Sequence, residues 1–297
     1  MAKEQYALIT GATSGIGYEL AKLFARDGYN LVLVARNGEI LNKTAAELKA
    51  WGDITIHTID ADLFKPEGAK QVYDKVKSLG VTIEYLVNDA GQGEWGRFFK
   101  TDLQRDIDLV HLNVISLMSL TKYFLQEMVE RNSGRILQLA SSLAKAPTPY
   151  MAVYAASKAF VLHLSEALVK ELEDTNVTVT ALLPGATDTD FFHKAKAEGT
   201  TVYNESSLYD PAEVAEAGYK AMMNGEGTVQ PGLKNKAQNA LSTILPDSAV
   251  ASNMEKQMES SMEEDGKTAI THAPSARERE AINAVNGGVN GDYETRV

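Results

Sequence analysis

Cysteine is absent from the 297 residues of this chain. There can be no disulfide, no thiol nucleophile and no cysteine-ligated zinc, and the composition suits a reducing, cytoplasmic compartment. Histidine is scarce as well, at 5 residues, and His193 has no second histidine or cysteine at ligand spacing, so no metal site is expected. Positive charge is in deficit: 29 lysines and arginines stand against 40 aspartates and glutamates, for a formal net charge of -11. Nucleic acid and anionic membrane surfaces reward basic patches, which argues against either as the main partner. An anionic cofactor would have to be met by local positive charge. Long apolar runs are missing too. None approaches the roughly 18 residues of a membrane span, and the start of the chain lacks the basic and apolar regions of a signal peptide.

What is present is enough apolar material, 44% of residues, to fill a sizeable core. Short apolar runs rich in β-branched residues recur at 6–10, 30–35, 54–60, 83–88, 135–141 and 177–183, with a further candidate at 227–230. Longer amphipathic stretches separate them at 15–27, 41–51, 66–78, 102–132, 151–173 and 211–224. The alternation predicts an α/β fold on a doubly wound parallel sheet of Rossmann type with about seven strands. Such a sheet binds its ligand beyond the carboxyl ends of the strands, where the strand order reverses. Gly11, Asn88, Ser141 and Pro184 all fall at or just past predicted strand ends. The expected domain covers residues 1–250, followed by a C-terminal extension over 251–297. Met254, Met258 and Met262 fall at helical spacing, so the extension should begin as a helix. From Glu263 the chain is charged and then rich in asparagine and glycine, which predicts disorder.

The first predicted strand runs into Thr10-Gly11-Ala12-Thr13-Ser14-Gly15-Ile16-Gly17, and a helix follows. A strand-to-helix glycine turn offers backbone N–H groups and a positive dipole end to phosphate, and glycine permits an approach that a Cβ would block. The spacing G-x-x-x-G-x-G departs from the G-x-G-x-x-G dinucleotide fingerprint, and such turns also serve plain packing. The next strand ends in Arg36, where an acidic residue would favour NAD and an arginine can pair with the 2′-phosphate of NADP. Thr13 and Ser14 add small hydroxyls to that contact. NADP, with NADPH preferred over NADH, is therefore the expected cofactor.

Tyr154 and Lys158 lie four apart and share one face of a predicted helix. An ammonium at about 4 Å and an effective dielectric of about 20 favours phenolate by about 4 kcal/mol, or about three pKa units. Tyr18/Lys22 and Tyr73/Lys77 have the same spacing, so spacing alone decides nothing. What sets Tyr154 apart is Ser141 at a strand end thirteen residues upstream and the small-residue helix that carries it.

Taken together, these pieces resemble the short-chain dehydrogenase/reductase family over roughly residues 4–245. The matching residues are the glycine turn, Asp62-Leu63, Asn88-Asp89-Ala90-Gly91, Asn113, Ser141, Tyr154 with Lys158, and Pro184-Gly185 with Thr187 and Thr189. The resemblance implies a nicotinamide-dependent oxidoreductase acting on a carbonyl or secondary alcohol. In it Tyr154 would be the general acid of reduction, and Lys158 would lower the Tyr154 pKa and bind the nicotinamide ribose. Ser141 would orient the substrate oxygen, and Asn113 would hold a proton-relaying water. Asp62 would accept from adenine, Leu63, Asn88, Ala90 and Gly91 would line the cofactor, and Pro184, Gly185, Thr187 and Thr189 would hold its carboxamide end.

The family has a second asparagine where this chain has Asp89, a carboxylate that can accept hydrogen bonds but not donate them. The resemblance further implies a homodimer or homotetramer packed through 102–132 and 151–173. Aromatic and apolar residues suggest a pocket for a hydrophobic ketone or aldehyde: Phe191, Phe192, Tyr203 and Tyr209, with Trp95, Phe98, Phe99, Tyr150 and Met151. Two other readings compete. One is a catalytically silent dinucleotide-binding sensor or scaffold; the other is a serine acyl-transfer enzyme through Ser142 and Lys145, which lacks its partner motifs. Thr295-Arg296-Val297 resembles a ligand for a carboxylate-capturing groove.

Overall fold

The apolar runs become strands because both faces of the sheet are covered. The computed structural model describes residues 5–205, 208–232 and 245–259. Its strands are β1 (Tyr6–Thr10), β2 (Asn30–Ala35), β3 (Ile56–Asp60), β4 (Ile83–Asn88), β5 (Gly134–Leu139), β6 (Val177–Leu182) and β7 (Thr228–Val229). All pair in parallel, in the order β3-β2-β1-β4-β5-β6-β7. Side chains alternate between two cores. Ala7, Ile9, Leu31 and Leu33 pack on one face with Leu20 and Phe24 of α1 (Gly15–Arg26) and Met222 of α9 (Pro211–Asn224). Leu8, Val32 and Val34 point to the other face, against Val72 and Val76 of α3 (Gly68–Leu79) and Phe124 of α5 (Leu117–Glu130). Continuous apolar runs are the signature of strands buried in this way.

Three helices open on side-chain caps. Asn37 accepts from Ile40 N at 3.0 Å and opens α2 (Gly38–Leu48), ahead of the start at 41 that periodicity suggested. Asp102 accepts from Arg105 N at 2.9 Å and opens α4 (Leu103–Val110). Asp210 accepts from Ala212 N at 2.8 Å, with Pro211 in the first turn of α9. Asp210→Ala should cost about 1 kcal/mol and lower the denaturant midpoint.

Three features differ from expectation. The single helix expected at 102–132 is broken by a π-helical turn at His111–Ser116, between α4 and α5. The segment after β6 contains two short helices, α7 (Phe191–Ala195) and α8 (Thr201–Glu205). Helix α10 (Asp247–Met258) straddles the expected domain boundary at 250 and buries Val250, Met254 and Met258 against Phe192, Ala195 and Ala197. The compact unit therefore continues past that boundary. Met262, the charged stretch from Glu263 and the terminal Thr295-Arg296-Val297 lie outside the described residues.

Helix α6 (Ala152–Glu171) is long and apolar enough to cross a membrane by length and composition. Here its apolar residues Val161 and Leu162 are buried with Ala140, Ala181 and Leu183, at or beside the ends of β5 and β6. The strand order reverses between β1 and β4, and the crevice beyond their carboxyl ends receives Gly11 from one and Asp89 from the other.

Candidate active site

Gly11 and Gly15 both have positive φ, at 71° and 57°, which only glycine adopts at little cost. The space above them is also tight. A Cβ on Gly15 would lie 2.9 Å from Thr189 Cγ2, and one on Gly17 would lie 2.5 Å from Asp89 Oδ2. Ser14 caps α1 with its backbone alone, since its side chain makes no capping bond to the first turn. Thr10 Oγ1 accepts from the backbone N–H of Asp89 and Ala90, at 3.1 and 3.0 Å, and ties the ends of β1 and β4 together.

Beside this turn a cavity of about 530 Å³ runs along the ends of the strands. Gly11, Thr13, Ser14, Gly15 and Ile16 line it near α1, and Arg36 and Leu63 line it on the β2–β3 side. Ala90, Gly91, Ser141, Tyr154, Pro184, Gly185, Thr187 and Thr189 line the rest of the expected set. Gly17, Asp62, Asn88, Asn113 and Lys158 do not. Gly17 is buried and its N–H bonds to Asp89. Asp62 turns back to accept from Phe64 N at 3.1 Å. Asn88 donates to Thr121 Oγ1 and Gln138 Oε1, both at 3.1 Å, and so joins sheet to helix. The side chain of Asn113 is fully buried, accepting from Gln92 N at 3.1 Å and donating to Gln92 O at 2.9 Å and to Ser157 Oγ at 3.0 Å. Lys158 lies just beneath Gly91, its Nζ 3.2 Å from where a Gly91 Cβ would sit.

Charge at the two ends differs. The Arg36 guanidinium lies 4.6 Å from the centre of the Phe64 ring, a residue sequence reasoning missed although it directly follows Asp62-Leu63. At the other end Ser141 Oγ accepts from Leu143 N at 3.2 Å, and the Tyr154 ring packs 5.0 Å from Phe191. Lys158 Nζ donates to Leu139 O at 2.7 Å and sits 5.8 Å from the centre of the Tyr154 ring. Burial dominates the ionisation here. It pushes the Tyr154 phenol up to about 12, against the Ser141 hydroxyl, which favours the phenolate. It brings the Lys158 ammonium down to about 8, while Asp89 works to keep it charged. The expectation that Lys158 draws the phenol toward neutrality is thus not met by the protein's own groups, because desolvation outweighs attraction. Burial likewise raises Asp89 to about 7, against the pull of Lys158, the Gly17 N–H and Lys194.

The expected apolar pocket is met in part. Phe191, Phe192, Tyr209 and Met151 line the cavity. Tyr203 packs behind Phe192, and Trp95 stacks on Tyr150 at 5.5 Å, so these three support the wall. Phe98 and Phe99 are 64% and 77% exposed and take no part. Gln92, Leu143, Lys194, Gln257 and Met258 also line the cavity, and nothing in the sequence marked them as lining it. His193 pairs with Glu198 at 2.8 Å, and no metal-binding cluster occurs among the described residues. Lys145 is exposed and, unlike Ser142, does not line the cavity, so the serine acyl-transfer pair does not meet there.

Residues 5–199 match the short chain dehydrogenase family. The chain belongs to that family. Its matched region is thus the family's nicotinamide-dependent oxidoreductase unit. An uncharacterized oxidoreductase of Bacillus subtilis is 37% identical over 188 residues, 63% of this chain and 70% of that protein. The human very-long-chain 3-oxoacyl-CoA reductase is 32% identical over 61% of this chain, which spans 58% of that enzyme's length. Among solved structures, a short-chain dehydrogenase of Sphingobium yanoikuyae in complex with NADPH superposes with a TM-score of 0.72 at 31% identity, covering 82% of this chain and 96% of that one. A bulky-bulky ketone specific alcohol dehydrogenase of Comamonas testosteroni reaches 0.69 at 29% identity, over 91% and 99%.

Proposed function

We propose that this protein is an NADP-dependent oxidoreductase that transfers hydride between the nicotinamide and a bulky, hydrophobic ketone or aldehyde, or the corresponding alcohol. The observation that carries the reading is the meeting in one cavity of the glycine turn, Arg36, Ser141 and Tyr154. The turn fits a dinucleotide because a Cβ at Gly15 would collide with Thr189 and fill the cradle. The nicotinamide, when bound, supplies or accepts the hydride. Ser141, held by the Leu143 N–H, orients the substrate oxygen. Tyr154, neutral at physiological pH, donates the proton to that oxygen. Lys158, whose Nζ lies just beneath Gly91 at the cavity wall, would hold the nicotinamide ribose and resupply the proton. The Asn113 amide is committed to Gln92 and Ser157, so any part in a water relay falls to its backbone in the π turn. A silent sensor has no use for a buried proton donor beside a strand-end serine.

Preference for NADP rests on Arg36, and the Sphingobium relative binds NADPH. A charge-assisted bidentate contact contributes about 1.5–3 kcal/mol. Arg36→Ala should therefore lower the preference for NADPH over NADH by about 10–100-fold, read as the ratio of dissociation constants by fluorescence titration. The bulky-ketone part of the reading draws on the apolar wall and on the Comamonas enzyme. Purified protein should consume NADPH with a panel of aliphatic, aromatic and steroid-like ketones, and NADPH binding with no consumption across the panel would count against it. The same reading includes a homodimer or homotetramer through the faces of α4, α5 and α6, where Ile107, Val110, Met118 and Phe160 are exposed. Light scattering of a single monomeric species would refute that part. A cytoplasmic setting, favoured by the absence of cysteine, completes it.

A further inference from the structure

Helix α10 lies beyond the 5–199 region matched by the family, so its contribution is read from its own contacts. Trp95 and Thr201 fasten its C-terminal end. The Trp95 indole N–H donates to Met258 O at 2.8 Å, and Thr201 N donates to Glu259 O at 3.0 Å. Val250, Met254 and Met258 are buried in the same apolar cluster as Tyr154, Met151 and Phe192. Of these three, Met258 alone lines the cavity, beside Gln257; Val250 and Met254 face the packing behind it. Phe191, Phe192, Val202 and Leu143 also line the cavity on this side.

We propose that α10 sets the size limit of the substrate, with Met258 closing the apolar part of the cavity against the larger substituent of the carbonyl compound. The inference rests on the function proposed above and adds which residue decides size. Met258 is a specificity-determining residue and takes no part in the chemistry. Its unbranched thioether can yield to substituents of different shape, whereas its backbone is pinned to Trp95. The wall offers apolar contact, so the favoured substrate is a neutral ketone whose larger arm is hydrocarbon. A methylene gained or lost in such a wall changes selectivity by about 10–200-fold.

The test uses the full chain and four forms: wild type, Met258→Ala, Met258→Trp and Met254→Ala. Each is first titrated with NADP⁺. Binding of a homologous series of straight-chain methyl ketones to the NADP⁺-loaded protein, where no reduction can occur, is then measured by calorimetry. Met258→Ala should raise the affinity ratio of long over short ketones about tenfold, and Met258→Trp should lower it by about as much. NADP⁺ affinity should stay unchanged. Met254→Ala should lower the melting temperature and leave the ratio as in wild type, which separates cavity shape from helix stability. Equal ratios in wild type and both Met258 variants, with NADP⁺ binding intact, would overturn the inference alone. Failure of the wild type to bind any dinucleotide would overturn the proposed function and this inference with it.

Discussion

Tyr154→Phe should lower kcat/KM for carbonyl reduction by about 10³-fold while leaving NADPH affinity within about twofold. The substitution removes one oxygen and keeps the ring, its burial and its contact with Phe191 at 5.0 Å. Nothing that lines the cofactor half of the cavity moves. What disappears is an acid that burial holds up at about 12, and therefore fully protonated at neutral pH, beside the Ser141 hydroxyl that would hold the substrate oxygen. Without it the developing alkoxide must take its proton from water, a much weaker and unpositioned acid. Single-turnover mixing of protein, NADPH and ketone, with NADPH affinity measured on the same samples, reads both quantities. Loss of affinity in step with loss of rate would point to collapse of the site, and undiminished turnover would remove Tyr154 from the chemistry.

Asp89→Asn should stabilise the protein at pH 8 by up to about 4 kcal/mol and by much less at pH 5. The Asp89 carboxyl is raised from its ordinary 3.8 to about 7, chiefly by burial. Its Oδ2 lies against Gly17, and its Oδ1 has no hydrogen-bond partner among the described residues. The sign follows from which state releases the proton first. Between about pH 4 and 7 the unfolded chain ionises Asp89 freely while the folded chain resists. Stability is therefore highest at low pH with respect to this group and is lost as pH rises through its folded pKa of about 7. An amide at position 89 has no such cost. The gain is reduced because Lys158 is held charged in part by Asp89, and with Lys194 these are the charges that act on it. For a domain of this size each kcal/mol shifts the melting temperature by about 2–4 °C. Melting curves of both proteins across pH should diverge as pH rises; a constant gap would mean that Asp89 does not titrate in the fold.

The parts of the molecule legible in the sequence are those governed by local chemistry. β1, β2 and β4 end where apolar runs meet Gly11, Arg36 and Asp89, because a strand buried on both faces is built chiefly of apolar residues. The glycine turn was legible for the same reason: positive φ at Gly11 and Gly15 is a local demand. Ser141, Tyr154 and Lys158 were legible through family resemblance, since their spacing also occurs at Tyr18/Lys22 and Tyr73/Lys77. Those two tyrosines instead bond to Glu47 and Glu127 on neighbouring helices. What stayed hidden depends on tertiary packing. No glycine or proline marks the π turn at His111–Ser116, where Asn113 reaches across to Gln92. Aromatic content could not distinguish Phe191, which faces Tyr154, from Phe99, which faces outward. The methionine spacing suggested a helix at the start of the extension, but not that Met258 would close a wall of the cavity.

The most direct measurement follows a single atom. NADPH deuterated on the transferable position of the nicotinamide is incubated with the purified protein and the ketone panel, and the products are examined by mass spectrometry. The expected result is an alcohol carrying one deuterium on the carbinol carbon, formed by wild type and suppressed in Tyr154→Phe. Tight binding of NADPH without deuterium in any alcohol would contradict hydride transfer and favour a dinucleotide-binding protein without turnover.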